Sequence, residues 1–99
     1  MNVKFSIKVV NHQGSAMLNI CDADLLGCNV SDKEHVINIS KNYYGEKIIN
    51  KSEAENLLRE STIINMVGKE TISTAVKIGI GVEQGIKTIN GVPFLIVFK

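Results

Sequence analysis

The dipeptide Asn90-Gly91 constrains the fold of this chain more than any other sequence feature. It separates residues 86–89 from residues 92–98, and both segments are rich in residues that favour extended structure. A type I′ turn requires a positive φ at both of its central residues, and Asn-Gly adopts that pair of angles readily. The sequence therefore predicts that the chain closes with an antiparallel β-hairpin.

The last predicted strand is apolar on both of its faces from residue 94 to residue 98. Pro93 lacks an amide hydrogen, so we expect it at the start of the strand. An apolar run left at an exposed sheet edge would promote aggregation. The strand is therefore expected to lie inside the sheet or to form a subunit interface, and a homodimer through the C-terminal strand is one predicted assembly.

The N-terminal region shows the period-two alternation of a half-buried strand, with apolar residues at positions 3, 5, 7 and 9. Turn residues at 11–14 separate it from a second extended segment, residues 16–21, and predict a first hairpin. Two short middle strands are predicted at residues 36–39 and 47–49. They flank a bend at Tyr43-Tyr44-Gly45.

Two helices are predicted between the hairpins. Ser52 and Glu55 have the spacing of a capping box, so a first helix is expected to begin there, with Asn65 on its apolar face and Gly68 at its end. Residues 70–78 repeat the helical pattern. The short connection between the two segments predicts an αα-hairpin.

Together these patterns predict one α+β domain that spans residues 1–99. Its largely antiparallel sheet has about five to six strands, from two hairpins and short middle strands, and packs with the αα-hairpin. A chain of 99 residues is long enough to bury a core without a metal or a disulfide. With 44% hydrophobic and 21% charged residues, its composition is that of a globular protein and excludes a disordered one.

Charge and hydropathy limit the partners. The chain has 11 basic and 10 acidic residues, so a polyelectrolyte role toward nucleic acid or anionic lipid is disfavoured, although a few lysines could still hold phosphates. Lys4 and Lys8 interrupt the N-terminal apolar residues, and no later run approaches the ~18 apolar residues of a membrane span. We therefore expect a cytoplasmic protein that does not insert into membranes.

The sequence shows no catalytic or metal-binding constellation. The segment from Asp22 to Gly27 predicts a single helical turn that Asp22 caps, and its resemblance to a calcium loop fails at Leu26 and Lys33. With two histidines in the chain, no metal cluster or histidine triad is visible. We expect no catalytic residue, no metal and no cofactor.

The candidate binding residues lie in predicted turns and at predicted helix ends. They are Asp22, Gly27, Tyr44, Asn65, Gly68 and Lys69. An asparagine on an apolar helix face must satisfy up to four hydrogen bonds. Asn65 therefore has two interpretations: it holds the interhelical turn or a neighbouring strand, or its amide faces a ligand or an RNA base. Tyr44 likewise has two interpretations: it is part of the core and of its own turn, or it belongs to a surface on which bases stack.

Four blocks of residues, in order and spacing, resemble a known family. The blocks are Cys21-Asp22 with Leu25-Leu26-Gly27, then Tyr44-Gly45, Thr62-x-x-Asn65-x-x-Gly68, and Gly91-Val92-Pro93. They look like the small archaeal proteins of the domain of unknown function 424 family, over nearly the whole chain. The resemblance implies an archaeal cytosolic protein without an established activity. Phe94 stands where that family often has a histidine, which argues against histidine-dependent chemistry.

Two functions follow from these observations. The first is a non-enzymatic binding module for RNA or for a ribosomal or other protein partner, with a place in translation or RNA metabolism suggested by association. The alternative is a ligand-binding protein or small enzyme in which Asp22, Asn65 and Cys28 meet at one pocket.

Overall fold

The chain alternates strands and helices in a computed structural model that describes residues 3–99. The strands are β1 (Lys4–His12), β2 (Ser15–Asp22), β3 (Asn29–Ser31), β4 (Val36–Asn38), β5 (Lys47–Asn50), β6 (Ile63–Val67), β7 (Lys87–Ile89) and β8 (Val92–Phe98). The α-helices are α1 (Lys41–Tyr44), α2 (Lys51–Glu60) and α3 (Lys69–Lys77), and 3₁₀ turns occur at Ala23–Leu25 and Glu83–Gly85. No helix within residues 3–99 is long and apolar enough to cross a membrane.

Six of the strands form one sheet in the order β5-β1-β2-β6-β8-β7, while β3 and β4 pair separately. Every pairing in the large sheet is antiparallel except that of β2 with β6. The predicted fold class, α+β with a largely antiparallel sheet, is confirmed. The closing hairpin is confirmed as well, because Asn90 and Gly91 connect β7 to β8 with φ values of 48° and 81°.

The predicted αα-hairpin is wrong, because strand β6 lies between α2 and α3. Helix α2 ends where Ser61 turns extended, with φ −85° and ψ 147°. Ile63 and Ile64 follow, and β-branched residues favour extended structure over helix. Apolar spacing alone had placed Asn65 on a helix, whereas it lies on β6, and Gly68 precedes α3 instead of ending α2.

The capping box of α2 also lies two residues before its predicted position. Asn50 Oδ1 accepts from the Glu53 amide at 2.9 Å, and Glu53 Oε1 accepts from the Asn50 amide at 3.4 Å. Asn50 is the last residue of β5 and has extended angles, so the chain leaves the sheet there and the helix begins at Lys51. Ser52 and Glu55 are therefore inside the helix.

The helices cover one face of the sheet, and the segment of residues 23–46 covers part of the other. The core under α2 and α3 comprises Phe5, Ile7, Leu18, Ile20, Ile49, Ala54, Leu58, Ile64, Met66, Ile72, Ala75, Ile80 and Leu95. The smaller core on the other face comprises Cys21, Val30, Ile39, Val67 and Ile89. Another part of this second face carries exposed side chains, among them Ile96 and Phe98.

Strand β8 lies between β6 and β7 in the strand order, which confirms a position inside the sheet for residues 92–94 but not for the rest of the apolar run 94–98. Its neighbour β7 spans three residues, and their pairing ends at Lys87 opposite Phe94. Beyond Phe94, β8 is paired with β6 on one side and has no strand on the other among residues 3–99.

Candidate functional site

The sheet face opposite α2 and α3 carries three rows of side chains that cross the four strands β1, β2, β6 and β8. The register aligns Ser6, Cys21, Val67 and Phe94 in the first row, Lys8, Asn19, Asn65 and Ile96 in the second, and Val10, Met17, Ile63 and Phe98 in the third. Directly opposite residues on neighbouring strands lie on the same side of a sheet. The three rows therefore form one continuous surface before any covering element is added.

The first row is covered by the segment of residues 23–46. Ile39 and Tyr44 of that segment pack in the cluster that contains Cys21, and the Ser6 hydroxyl donates to the Tyr44 carbonyl oxygen. The side chain of Tyr44 is half-buried, and this burial raises the pKa of its phenol. Tyr44 is thus part of the cover, which agrees with its structural interpretation.

The second and third rows are less covered by the rest of residues 3–99, and we call these eight residues the open face. Its accessibility is uneven, because Asn19 is 3% exposed and Lys8 Nζ contacts Asn42 of α1. Ile96 and Phe98 are its most exposed members, with 57% and 73% of their surface accessible. The third row is apolar across all four strands. An apolar line of this kind on a surface is typical of a place where another molecule binds.

Two asparagines lie at the centre of the open face. Asn19 and Asn65 are opposite each other in the parallel pairing of β2 with β6, and Asn65 Nδ2 donates to Asn19 Oδ1 at 2.8 Å. Asn65 Oδ1 and Asn19 Nδ2 make no hydrogen bond within residues 3–99. No side-chain nitrogen or oxygen in that part of the chain is both fully buried and unpaired, so these two atoms keep some contact with solvent, although Asn19 as a whole is 3% exposed and Asn65 is half-buried. They remain able to accept from and donate to a bound molecule.

Asp22 lies on the face of the sheet that α2 and α3 cover, and its carboxylate binds the start of α3. Its carboxylate accepts from the amides of Glu70 at 3.2 Å and Thr71 at 2.8 Å, and from Thr71 Oγ1 at 2.7 Å. It makes no capping bond to the turn at Ala23–Leu25, so the predicted local cap is wrong. A carboxylate that accepts helix N-terminal amides stabilises the helix. Asp22 therefore caps a helix that begins 47 residues later in the chain.

Gly68 allows Asp22 to approach the start of α3. Its φ is 109°, and a Cβ at this position would lie 2.3 Å from Asp22 Cγ. Lys69, the first residue of α3, is exposed. Gly27 has a φ of 88°, and its amide donates to the Ile39 carbonyl oxygen at 2.7 Å. The two glycines are therefore explained by backbone geometry.

The residues of the predicted single pocket are not brought together. Asp22 faces α3, whereas Asn65 belongs to the open face on the opposite side of the sheet. Cys28 is exposed in the connection to β3, where its Sγ lies 3.8 Å from the Asp24 carbonyl oxygen. The cavity of about 330 Å³ beside Asp22 has no open-face residue in its wall. Residues 3–99 place no three His, Cys, Asp or Glu side chains where they could hold a metal ion.

Sequence reasoning missed one polar cluster outside the sheet. His35 Nδ1 lies 3.1 Å from Asp32 Oδ1, and His35 Nε2 lies 3.1 Å from Lys87 Nζ. Asp32 Oδ1 also accepts from the amides of Glu34 and His35, each at 2.8 Å. These contacts hold the turn between β3 and β4 against β7. The Asp-x-x-His spacing could have indicated the turn, but not the contact with Lys87.

The comparisons with known proteins agree with this architecture. The family model described as Protein of unknown function (DUF424) matches residues 10–99. One solved structure, described as the crystal structure of an uncharacterized conserved protein from Methanopyrus kandleri, is similar to this chain with a TM-score of 0.84. It is 25% identical, and the similarity covers 96% of this chain and 90% of that one. No curated protein matches the chain.

Proposed function

We propose that this chain, which belongs to the DUF424 family of proteins of unknown function, is a non-enzymatic module that binds a protein partner on its open face. The observation that carries the proposal is the uncovered third row, in which Val10, Met17, Ile63 and Phe98 form an apolar line across four strands. Elsewhere on this face the same sheet is closed by residues 23–46.

The chemistry of the open face favours protein over nucleic acid. Nucleic acids are bound largely through cations that neutralise phosphates. The one cation of the open face is Lys8, and its Nζ donates to the Asn42 carbonyl oxygen at 2.9 Å. Apolar side chains such as Ile96 and Phe98 instead match the buried centre of a protein interface.

The asparagine pair would give the surface selectivity. A partner that lies over Asn19 and Asn65 must donate to Asn65 Oδ1 and accept from Asn19 Nδ2, because burial leaves either atom without water. Leaving a polar atom buried and unpaired costs about 1–3 kcal/mol. A partner with apolar groups alone at this point is therefore discriminated against.

The test compares two neighbouring valines of β1 that point to opposite faces. Val10 is on the open face and Val9 is on the face of the helices, where its exposed fraction is 36%. Tagged wild type, Val10→Lys and Val9→Lys are incubated with native lysate of the source organism, with and without nuclease. We expect a protein that is retained after nuclease treatment by wild type and Val9→Lys but is lost with Val10→Lys.

Three results would contradict the proposal. One is the absence of any retained protein, and another is equal retention by both variants. The third is capture that disappears with nuclease, which would assign the surface to RNA. Mass spectrometry of the retained protein tests the finer expectation that the partner acts in translation or RNA metabolism.

A further inference from the structure

We infer that the free edge of β8 pairs with β8 of a second copy of this chain, in an antiparallel arrangement around a two-fold axis. The inference rests on the backbone of β8 and holds whether or not the open face binds another protein. Its occupant is a second copy because the edge is complementary to itself in hydrogen bonding and in side-chain chemistry.

The hydrogen bonds between β6 and β8 show which backbone N–H and C=O groups of β8 point away from β6. The Lys99 amide donates to the Thr62 carbonyl oxygen, and the Gly68 amide donates to the Pro93 carbonyl oxygen, both at 2.9 Å. In an antiparallel pair, successive residues direct their N–H and C=O groups to alternate sides. Residues 93, 95, 97 and 99 therefore face β6. Ile96 and Phe98 face outward, beyond the last residue paired with β7.

These free groups match those of a second β8. If Val97 lies at the two-fold axis, Ile96 is opposite the partner's Phe98, and Phe98 is opposite the partner's Ile96. Each of these opposite pairs exchanges two hydrogen bonds, so four bonds form without any change in the pairing of β6 or β7. If the pairing were shifted by one residue, each outward-facing residue would lie opposite a partner residue whose N–H and C=O groups point to its own β6. None of the four hydrogen bonds would then form.

The side chains at this edge favour the same pairing. Exposed edge strands are usually protected by a lysine or another charge. Here Lys99 Nζ donates to the Leu58 and Arg59 carbonyl oxygens, at 2.6 Å and 2.9 Å, so this cation lies at the end of α2. Ile96 and Phe98 would then cover each other across the axis, with no like charges brought into contact.

The pairing also extends the open face. Because Ile96 ends the second row and Phe98 ends the third, each row of one copy continues into the other row of the partner. The apolar third row of each copy would gain the partner's Ile96, and beyond that residue the line becomes polar. An edge of about five residues buries less than the ~1,200–2,000 Å² of a stable interface, so we expect a weak dimer. Its dissociation constant should lie between ~10 μM and ~1 mM.

Sedimentation equilibrium of the full chain tests the dimer directly. Between ~10 μM and ~1 mM protein, the average mass should rise from 10.9 kDa toward twice that value. Ile96→Lys should weaken association at least about tenfold by placing a charge at the edge. The matched control is Ile48→Lys on β5, the opposite edge strand, where the exposed fraction is 53% against 57% at Ile96. This control should associate like wild type.

Hydrogen exchange of the wild-type chain gives a readout that needs no variant. The amides of Leu95 and Val97 should be protected at every concentration, whereas those of Ile96 and Phe98 should become protected as the concentration rises. A wild type that stays at 10.9 kDa up to ~1 mM would overturn the inference. So would a mass increase that Ile48→Lys abolishes and Ile96→Lys leaves intact, or exchange at Ile96 and Phe98 that does not depend on concentration.

Discussion

Replacing Asp22 with alanine tests how far one carboxylate from β2 stabilises the start of α3. The side chain is 9% exposed and accepts three hydrogen bonds, two of them from Thr71, which is fully buried. Loss of a helix cap costs about 0.5–2 kcal/mol. Leaving the Thr71 amide and hydroxyl buried without a partner adds about 1–3 kcal/mol. We therefore expect Asp22→Ala to lower the free energy of unfolding by about 3 kcal/mol.

Urea denaturation followed by circular dichroism measures this change. For a domain of this size a loss of about 3 kcal/mol corresponds to a fall of about 12–24 °C in melting temperature. Asp22→Asn keeps one acceptor oxygen and should lose about half as much. The control is Asp24→Ala in the same turn, where the carboxylate is exposed and the change should stay within about 0.5 kcal/mol. If Asp22→Ala costs no more than Asp24→Ala, the carboxylate does not stabilise α3.

Two further predictions concern thiol reactivity and acid titration. Burial raises the pKa of the Cys21 thiol to about 12, while Cys28 is exposed, so iodoacetamide at pH 8 should modify one cysteine in the native chain and two in denaturant. Two rapidly modified thiols in the native chain would refute this. The amide of Glu34 chiefly, with that of His35, holds the pKa of Asp32 below its ordinary value. The stabilisation that the ionised Asp32 carboxylate contributes is therefore present above the unfolded-state pKa and is lost as pH falls through the folded-state pKa. An NMR titration that gives Asp32 a pKa at or above the ordinary value of an aspartate would contradict this prediction.

The elements that the sequence predicted correctly are those whose structure is determined by residues close together in the chain. Asn90 tolerates a positive φ through its short polar side chain and Gly91 through its lack of a Cβ, so the closing hairpin could be derived without its surroundings. The alternation in residues 3–9 is likewise local. Strand β6 was missed because its apolar residues continue the helical spacing of α2, and its pairing with the distant strands β2 and β8 adds to a local β-branched preference that spacing alone does not register.

The site was less predictable because its contacts are long-range. Asp22 was assigned to its own turn, since nothing near it in sequence shows that the Thr71 amide, 49 residues away, is its partner. Asn65 was recognised as unusual, but its partner Asn19 was not, because a register between distant strands is not encoded in either one alone. Position in the sheet, rather than residue type, places the half-buried Asn65 on the open face.

The parallel pairing of β2 with β6 also bears on the order in which this protein folds. Each hairpin can form within ~1–10 μs because its strands are adjacent in the chain. Joining β2 to β6 instead requires closure of the loop formed by residues 23–62, whose entropy must be lost before contacts compensate for it. We expect this junction to form late and to limit the folding rate. Since Asn19 and Asn65 meet only across it, a chain folded in two separate parts would not yet have a surface to present to a partner.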